Sequence, residues 1–214
     1  MSGIRTPRFY VIAGVNGAGK SSIAGATFRA LGSDYFNPDE AARRLMAANP
    51  GLSQKDANGI AWRQGVRLLK RAIEERLDFA FETTLGGHTI TQLLGQAASQ
   101  AIEIHMWYVG LTSPELHLER VRARVSRGGH DIPERDVRRR YEHSRLNLIA
   151  LFPHLTALRV HDNSREADLA AGKVPLPRLL LQMERGSIIG PADLSPTPDW
   201  AKPIVAAALK LSRS

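Results

Sequence analysis

The chain has 214 residues, 43% of them hydrophobic and 23% charged, proportions that exclude wholesale disorder and collagen-like or coiled-coil architectures. Lys and Arg number 29 against 21 Asp and Glu, a formal charge of +8, which calls for an anionic partner without choosing among nucleic acid, a membrane surface and a phosphorylated small molecule. Cysteine is absent, which excludes disulfide frameworks, thiolate metal sites and cysteine nucleophiles.

At roughly 150 residues per domain this length favours one domain over 1–214, able to bury about 70% of its unfolded surface. Met1-Ser-Gly-Ile-Arg-Thr-Pro-Arg8 leads directly towards a strand with no apolar signal core. Nowhere do about 18 consecutive apolar residues occur. A soluble, cytoplasmic protein with no membrane partner is expected.

In chain order, Arg8-Phe-Tyr-Val-Ile-Ala13 reads as a strand, followed by a glycine-rich loop and a helix from about Gly19. A second strand, about Asp34 to Asn37, leads through Pro38, a favourable first helical residue, into a helix over Glu40 to Ala48. Ile60, Val66, Leu69 and Ile73 repeat at helical spacing within a helix from about Gln54 to Arg76. Leu77 to Phe81 predicts a third strand, Thr89 to Ser99 a helix and Ile102 to Val109 a fourth strand. Helices over Pro114 to Arg127 and Pro133 to Leu151, then a strand over Ala157 to His161, continue the alternation. Past Gly172 the chain reads as an irregular extension, 172–214, with a hairpin of Arg178 to Met183 and Ser187 to Ile189 and a final helix from Trp200 to Leu211. Alternating helices and apolar strands signal an α/β fold with a mostly parallel sheet flanked by helices.

Gly14-Val15-Asn16-Gly17-Ala18-Gly19-Lys20-Ser21 matches the phosphate-binding pattern G-x-x-x-x-G-K-[ST] at every fixed position. Glycines let backbone N–H groups converge on phosphate oxygens, and the following helix adds its positive dipole end. Lys20 can bridge the terminal phosphates, and Ser21 can ligate the magnesium that accompanies them. A dinucleotide fingerprint fits worse, because Lys20, Ser21 and Ser22 stand where a third glycine should fall. The guanine-specific N-K-x-D sequence is missing.

Asp39 follows the second strand, where ligands of such sheets bind. It suits a general base for an acceptor hydroxyl, and equally suits the acidic first turn of a helix. Glu82, with Thr83 and Thr84, stands at the end of the third strand, placed to hydrogen-bond acceptor hydroxyls or to orient magnesium. Gly86 and Gly87 allow a flexible loop beside it. Nine arginines lie between Arg120 and Arg145 among acidic residues. Gly128 and Gly129 would hinge them as an arginine-rich helical lid, about 122–145, that closes on a γ-phosphate. A salt-bridged helix pair or an RNA-binding face is the other reading. His130 and His143 lack metal-ligand spacing and suit surface roles. Asp162-Asn163-Ser164 offers an adenine contact or a plain turn.

Phe36-Asn-Pro-Asp-Glu40, Glu82-Thr-Thr84, Arg127-Gly-Gly-His130 and Arg138-Arg-Arg-Tyr141, in this order behind the P-loop, resemble the zeta-toxin family of P-loop kinases over roughly 8–165. The resemblance implies a P-loop NTPase fold and a phosphotransferase acting on an alcohol group. Family members transfer the γ-phosphate of ATP to the 3′-hydroxyl of the sugar in UDP-N-acetylglucosamine, and several are restrained by an antitoxin. It also implies that the P-loop through Ser22, with Asn163, binds ATP and that Ser21 holds Mg²⁺. Asp39 would be the base, Asn37, Glu82, Thr83 and Thr84 would hold the acceptor, and Arg127 and Arg140 would grip the γ-phosphate. The chain departs in being short, in carrying Glu-Thr-Thr where some members have Glu-Gly-Thr, and in containing no antitoxin segment, so another acceptor stays open. The alternative from another class is a regulatory ATPase that switches conformation with a nucleic-acid or protein partner.

Overall fold

The computed structural model describes residues 5–20, 35–129, 131–165 and 176–213; Ser21, Ser22 and His130 lie outside them. Seven strands form one sheet in the order β2-β3-β1-β4-β5-β6-β7. They are β1 (Arg8–Ala13), β2 (Tyr35–Phe36), β3 (Phe79–Thr83), β4 (Glu103–Gly110), β5 (Ala157–Asp162), β6 (Arg178–Glu184) and β7 (Ser187–Gly190). The first five are mutually parallel, and β6 and β7 run antiparallel. The helices are α1 (Pro38–Ala48), α2 (Gln54–Glu74), α3 (His88–Ser99), α4 (Pro114–Val125), α5 (Glu134–Leu151) and α6 (Lys202–Leu211). No described helix is long and apolar enough to cross a membrane.

The main core lies on one face of the sheet, where Phe9, Val11, Ile104, Met106 and Leu158 meet Leu94, Leu148 and Ile204 from α3, α5 and α6. Strands buried in this way need the continuous apolar runs that the sequence shows. The opposite end of the sheet from the chain's entry into β1, where β1, β3 and β4 terminate, carries the P-loop and the β3–α3 loop.

Two of the boundaries that differ from the sequence reading do so for local reasons. The third strand begins at Phe79, not Leu77, because the end of α2 claims the preceding residues: Arg76 turns left-handed at φ 53°, and the Leu77 N–H donates to the Ala72 carbonyl. Asp78 then accepts from the Arg8 N–H at 2.9 Å. Glu82 therefore lies within β3, opposite Ile12 of β1, on a paired and rigid stretch of backbone. The second strand stops at Phe36 because Asn37 caps α1, its Oδ1 accepting from the N–H groups of Asp39 and Glu40 at 2.9 and 3.2 Å.

The hairpin expected over Arg178 to Met183 and Ser187 to Ile189 forms as β6 and β7, so this part of the extension is regular. Leu180, Leu181 and Met183 of β6 are buried, and β6 pairs along β5. Trp200 covers the end of β4, its ring 6.4 Å from that of Tyr108 and packed so closely on Gly110 that a Cβ there would overlap it. Gly110→Ala is expected to lower stability by about 1–3 kcal/mol, the usual scale of overpacking; the shift in urea midpoint measures it.

Candidate active site

The P-loop is shaped by its glycines and tied down from several elements. Gly14 and Gly17 adopt φ of 143° and 83°. A Cβ on Gly14 would strike the Val109 carbonyl oxygen, and one on Gly17 would approach that of His117 to 2.7 Å. The Gly14 N–H donates to the Thr83 carbonyl at 3.2 Å, which joins the loop to β3. Asn163 donates through Nδ2 to the Ala18 carbonyl at 2.8 Å, so this residue buttresses the loop.

His117, on α4, is buried under the loop, its Nδ1 2.9 Å from the Asn16 carbonyl oxygen. Burial depresses its pKa to about 4, opposed by that hydrogen bond and assisted by the nearby charges of Lys20 and Arg120. A neutral imidazole beside a carbonyl oxygen carries its proton on Nδ1, as donor.

Lys20 and Glu82 are 6% and 8% exposed. Lys20 Nζ lies 3.4 Å from Glu82 Oε1 and donates to the Val15 carbonyl at 3.3 Å. Glu82 Oε2 accepts from the Tyr35 hydroxyl at 2.7 Å and from Asn37 Nδ2 at 3.1 Å. Asn37 thus spends its oxygen on capping α1 and its nitrogen on Glu82, which fixes Asp39 and Glu82 relative to one another. Asp39 occupies the acidic first turn of α1 and pairs with Arg124 at 3.3 Å.

The arginines sort into two groups. Arg138 joins α5 to α4 through Glu115 at 2.7 Å and pairs along its own helix with Glu134 at 2.8 Å, while Arg139 with Asp136 at 3.2 Å and Arg145, 4.3 Å above the Tyr141 ring, make contacts within α5. Arg120, Arg124 and Arg127 line a cleft beside the P-loop. Arg140 was expected to approach only on closure of a lid, yet it already reaches the P-loop, Nη1 donating to Asn16 Oδ1 at 2.6 Å, and burial holds its pKa below the usual arginine value. Arg127 sits exposed on the turn after α4. Arg124 escaped the sequence reading, although its spacing of four from Arg120 and three from Arg127 puts all three on one helical face.

Two clefts meet here. One, of about 630 Å³, runs along the P-loop, Arg120 and Arg124 of α4, and Arg127 on the turn after it. The other, of about 220 Å³, opens between α1, α2 and the β3–α3 loop, bordered by Thr83, Thr84, Trp62 and Ile90. Asn16, Lys20, Asn37, Asp39 and Glu82 line both. Trp62, outside the sequence reading altogether, stands half exposed at the mouth of the second.

A P-loop on a parallel sheet, with a base-like carboxylate between a phosphate cleft and a second cavity, defines a P-loop phosphotransferase of the kinase class. The sequence matches the zeta toxin family over residues 1–173, and the chain belongs to that family. An uncharacterized protein of Haemophilus influenzae is 34% identical over 132 residues, 60% of this chain and 88% of the relative. The fold is shared with the AvrRxo1-ORF1:-ORF2 structure with ATP (TM-score 0.67, 14% identity), which matches 97% of this chain and 65% of that longer one. It is also shared with the PezAT toxin–antitoxin structure of Streptococcus pneumoniae (TM-score 0.52, 15% identity, 74% of this chain and 68% of that one).

The depressed His117 pKa has a sign that can be checked. A histidine that must stay neutral in the fold contributes fully above its unfolded value of about 6.5, and that contribution is lost as pH falls towards 4, by about 3 kcal/mol in total. Urea midpoints of the parent and His117→Asn, measured between pH 7 and 4, should diverge, with the shallower pH slope in the variant; parallel slopes would remove His117 from this role.

Proposed function

We propose that the protein is an ATP-dependent kinase that transfers the γ-phosphate to a hydroxyl of a small-molecule acceptor. The observation that carries this reading is the shared wall: Lys20, Asp39 and Glu82 face the P-loop cleft on one side and a separate, partly apolar cavity on the other. A switch ATPase needs no second cavity.

ATP phosphates would lie on the P-loop N–H groups, with Lys20 and the arginines of α4 and α5 neutralising charge that develops on the γ-phosphoryl group. Asp39 would accept the hydroxyl proton as the acceptor oxygen bonds to phosphorus and the bond to the β-phosphate oxygen breaks. Glu82 supplies a carboxylate oxygen on the phosphate side that, with the Ser21 hydroxyl, would suit the magnesium that travels with ATP, while Asp39 keeps the role of base. When bound, that ion would neutralise and orient the phosphates. Family membership suggests UDP-N-acetylglucosamine as one acceptor and, with the toxin–antitoxin neighbour, a protein that restrains the activity; both belong to this proposal.

Incubation with ATP, Mg²⁺ and a panel of sugars and sugar nucleotides, followed by phosphorus spectra, tests the reading: a new phosphomonoester signal is expected, and ATP hydrolysis without any phosphorylated acceptor would contradict it. Asp39→Asn should keep ATP binding and lose about 10² or more in transfer; turnover near the parental rate would leave Asp39 as a helix-initiating residue. Lys20→Gln tests the P-loop more cleanly than Lys20→Ala, which would strand the buried Glu82 carboxylate; transfer should again vanish while the melting curve stays cooperative.

Arg140 and Arg127 separate by position. Arg140→Ala is expected to slow transfer by about 10²–10³, whereas Arg127→Ala, on the exposed turn, should cost less. Additive loss of salt-dependent RNA binding in both variants, with ATP chemistry untouched, would instead support a nucleic-acid face.

A further inference from the structure

Arg124 reaches across the phosphate cleft. Its guanidinium, carried by α4, lies 3.3 Å from the carboxylate of Asp39 on α1, and both residues line the P-loop cleft. Two packing features hold it there. Val15 of the P-loop forms a small core with Leu118 and Val121 of α4 and with Ile132 and Val137 beyond the turn, which seats α4 on the loop. The turn after the helix then folds back on the arginine. Gly128 is left-handed at φ 86°, the Gly129 N–H donates to the Arg124 carbonyl at 3.0 Å, and a Cβ on Gly129 would lie 2.6 Å from Arg124 Cγ. The double glycine, expected to be a hinge, thus lets the chain close against the stem of Arg124.

This contact bears on the chemistry of the base. To take a proton, Asp39 must present a carboxylate oxygen to the acceptor hydroxyl, and its Oδ2 is engaged by Arg124 from the phosphate side. The pair is also an exchangeable one. Its side chains are 35% and 36% exposed, and ion pairs open to water contribute little net stability. The other pair that crosses between the clefts, Lys20 with Glu82, is buried at 6% and 9% exposure, where separating the charges is far more costly. A triphosphate entering the cleft brings several negative charges against the single charge of Asp39, and a guanidinium forks onto phosphate oxygens as well as onto carboxylate oxygens. The donor is therefore equipped to draw Arg124 away from Asp39.

We propose that Arg124 is exchanged between the base and the donor. Paired with Asp39, it holds the carboxylate towards the phosphate cleft; drawn onto the terminal phosphates of ATP, it releases that carboxylate to the acceptor hydroxyl. This rests on the kinase reading above and deepens it, because the base becomes available when the donor is bound. By linkage, what the phosphates gain from Arg124 and what Asp39 loses are one coupling free energy.

A double-mutant cycle tests the exchange, with binding of a non-hydrolysable ATP analogue and Mg²⁺ followed calorimetrically in the parent, Asp39→Asn, Arg124→Gln and the double variant. If Asp39 competes with phosphate for Arg124, Asp39→Asn should bind the analogue about three- to fivefold more tightly, the scale of a partly exposed pair. Arg124→Gln should bind it about tenfold more weakly, and the gain from Asp39→Asn should be largely lost in that background. Arg124→Lys keeps a cation and the stem that packs on Gly129, so it should bring part of the gain back; this guards against a Gln variant that has lost its fold. An equal gain with Arg and with Gln at 124 would be plain repulsion between Asp39 and phosphate, and would overturn the proposal. Unchanged or weaker binding in Asp39→Asn, the result of Arg124 bridging both groups at once, would overturn it too. The cycle reads nucleotide binding alone, so it decides the exchange by itself; absence of any phosphorylated acceptor in the phosphorus spectra would overturn the kinase reading instead.

Discussion

A buried carboxylate is the constraint around which this site is built. Glu82 projects from a paired strand at 8% exposure, and a charge so placed is tolerable only where donors converge on it. Tyr35 and Asn37 supply two hydrogen bonds, and Lys20 supplies the opposite charge. Each of those partners comes from a different part of the chain: the short edge strand, the cap of α1 and the P-loop. Satisfying Glu82 therefore fixes the acceptor-side helix and the phosphate-side loop at once. Without nucleotide the P-loop lysine has an internal partner, which ATP phosphates would have to replace.

Helix α5 provides the second tie. Tyr141 donates its hydroxyl to the Thr112 carbonyl at 3.0 Å, and Ser144 meets the buried Tyr108 hydroxyl at 3.0 Å, so the helix is anchored on the end of β4 and the loop after it. From that base Arg140 reaches the P-loop, while the buried Asn147 donates to the Leu85 carbonyl at 2.8 Å. Leu85 itself is held left-handed, φ 52°, with its N–H on Thr83 Oγ1 at 3.0 Å. A non-glycine residue in this conformation persists where its surroundings over-determine it. One helix thus positions a cation against Asn16 of the P-loop and the loop that borders the second cavity.

Much of the architecture was legible because it rests on local chemistry. The P-loop is a contiguous pattern with a single backbone solution, the parallel strands are unbroken apolar runs, and Asn37-Pro38 with Asp39 and Glu40 spells a helix start. What escaped depended on tertiary contacts. The Leu77 boundary failed because the apolar run continued past a helix end whose left-handed residue, Arg76, carries no glycine signal. Arg140 looked remote along the chain, yet α5 crosses behind the P-loop and delivers it. Arg124 was hidden among neighbours of identical type, although helical spacing alone could have separated Arg120, Arg124 and Arg127 from the structural pairs of Arg138, Arg139 and Arg145. Trp62 gave no signal, because an aromatic on an amphipathic helix ordinarily packs inward.

The most direct test of this account is the behaviour of Glu82→Gln, with ATP affinity measured calorimetrically and transfer to the preferred acceptor measured alongside it. Loss of the carboxylate releases Lys20 for phosphate but removes a polar anchor shared by both clefts. The account predicts ATP binding at least as tight as in the parent together with a fall in transfer of about a hundredfold. Weaker ATP binding with transfer near the parental rate would contradict it.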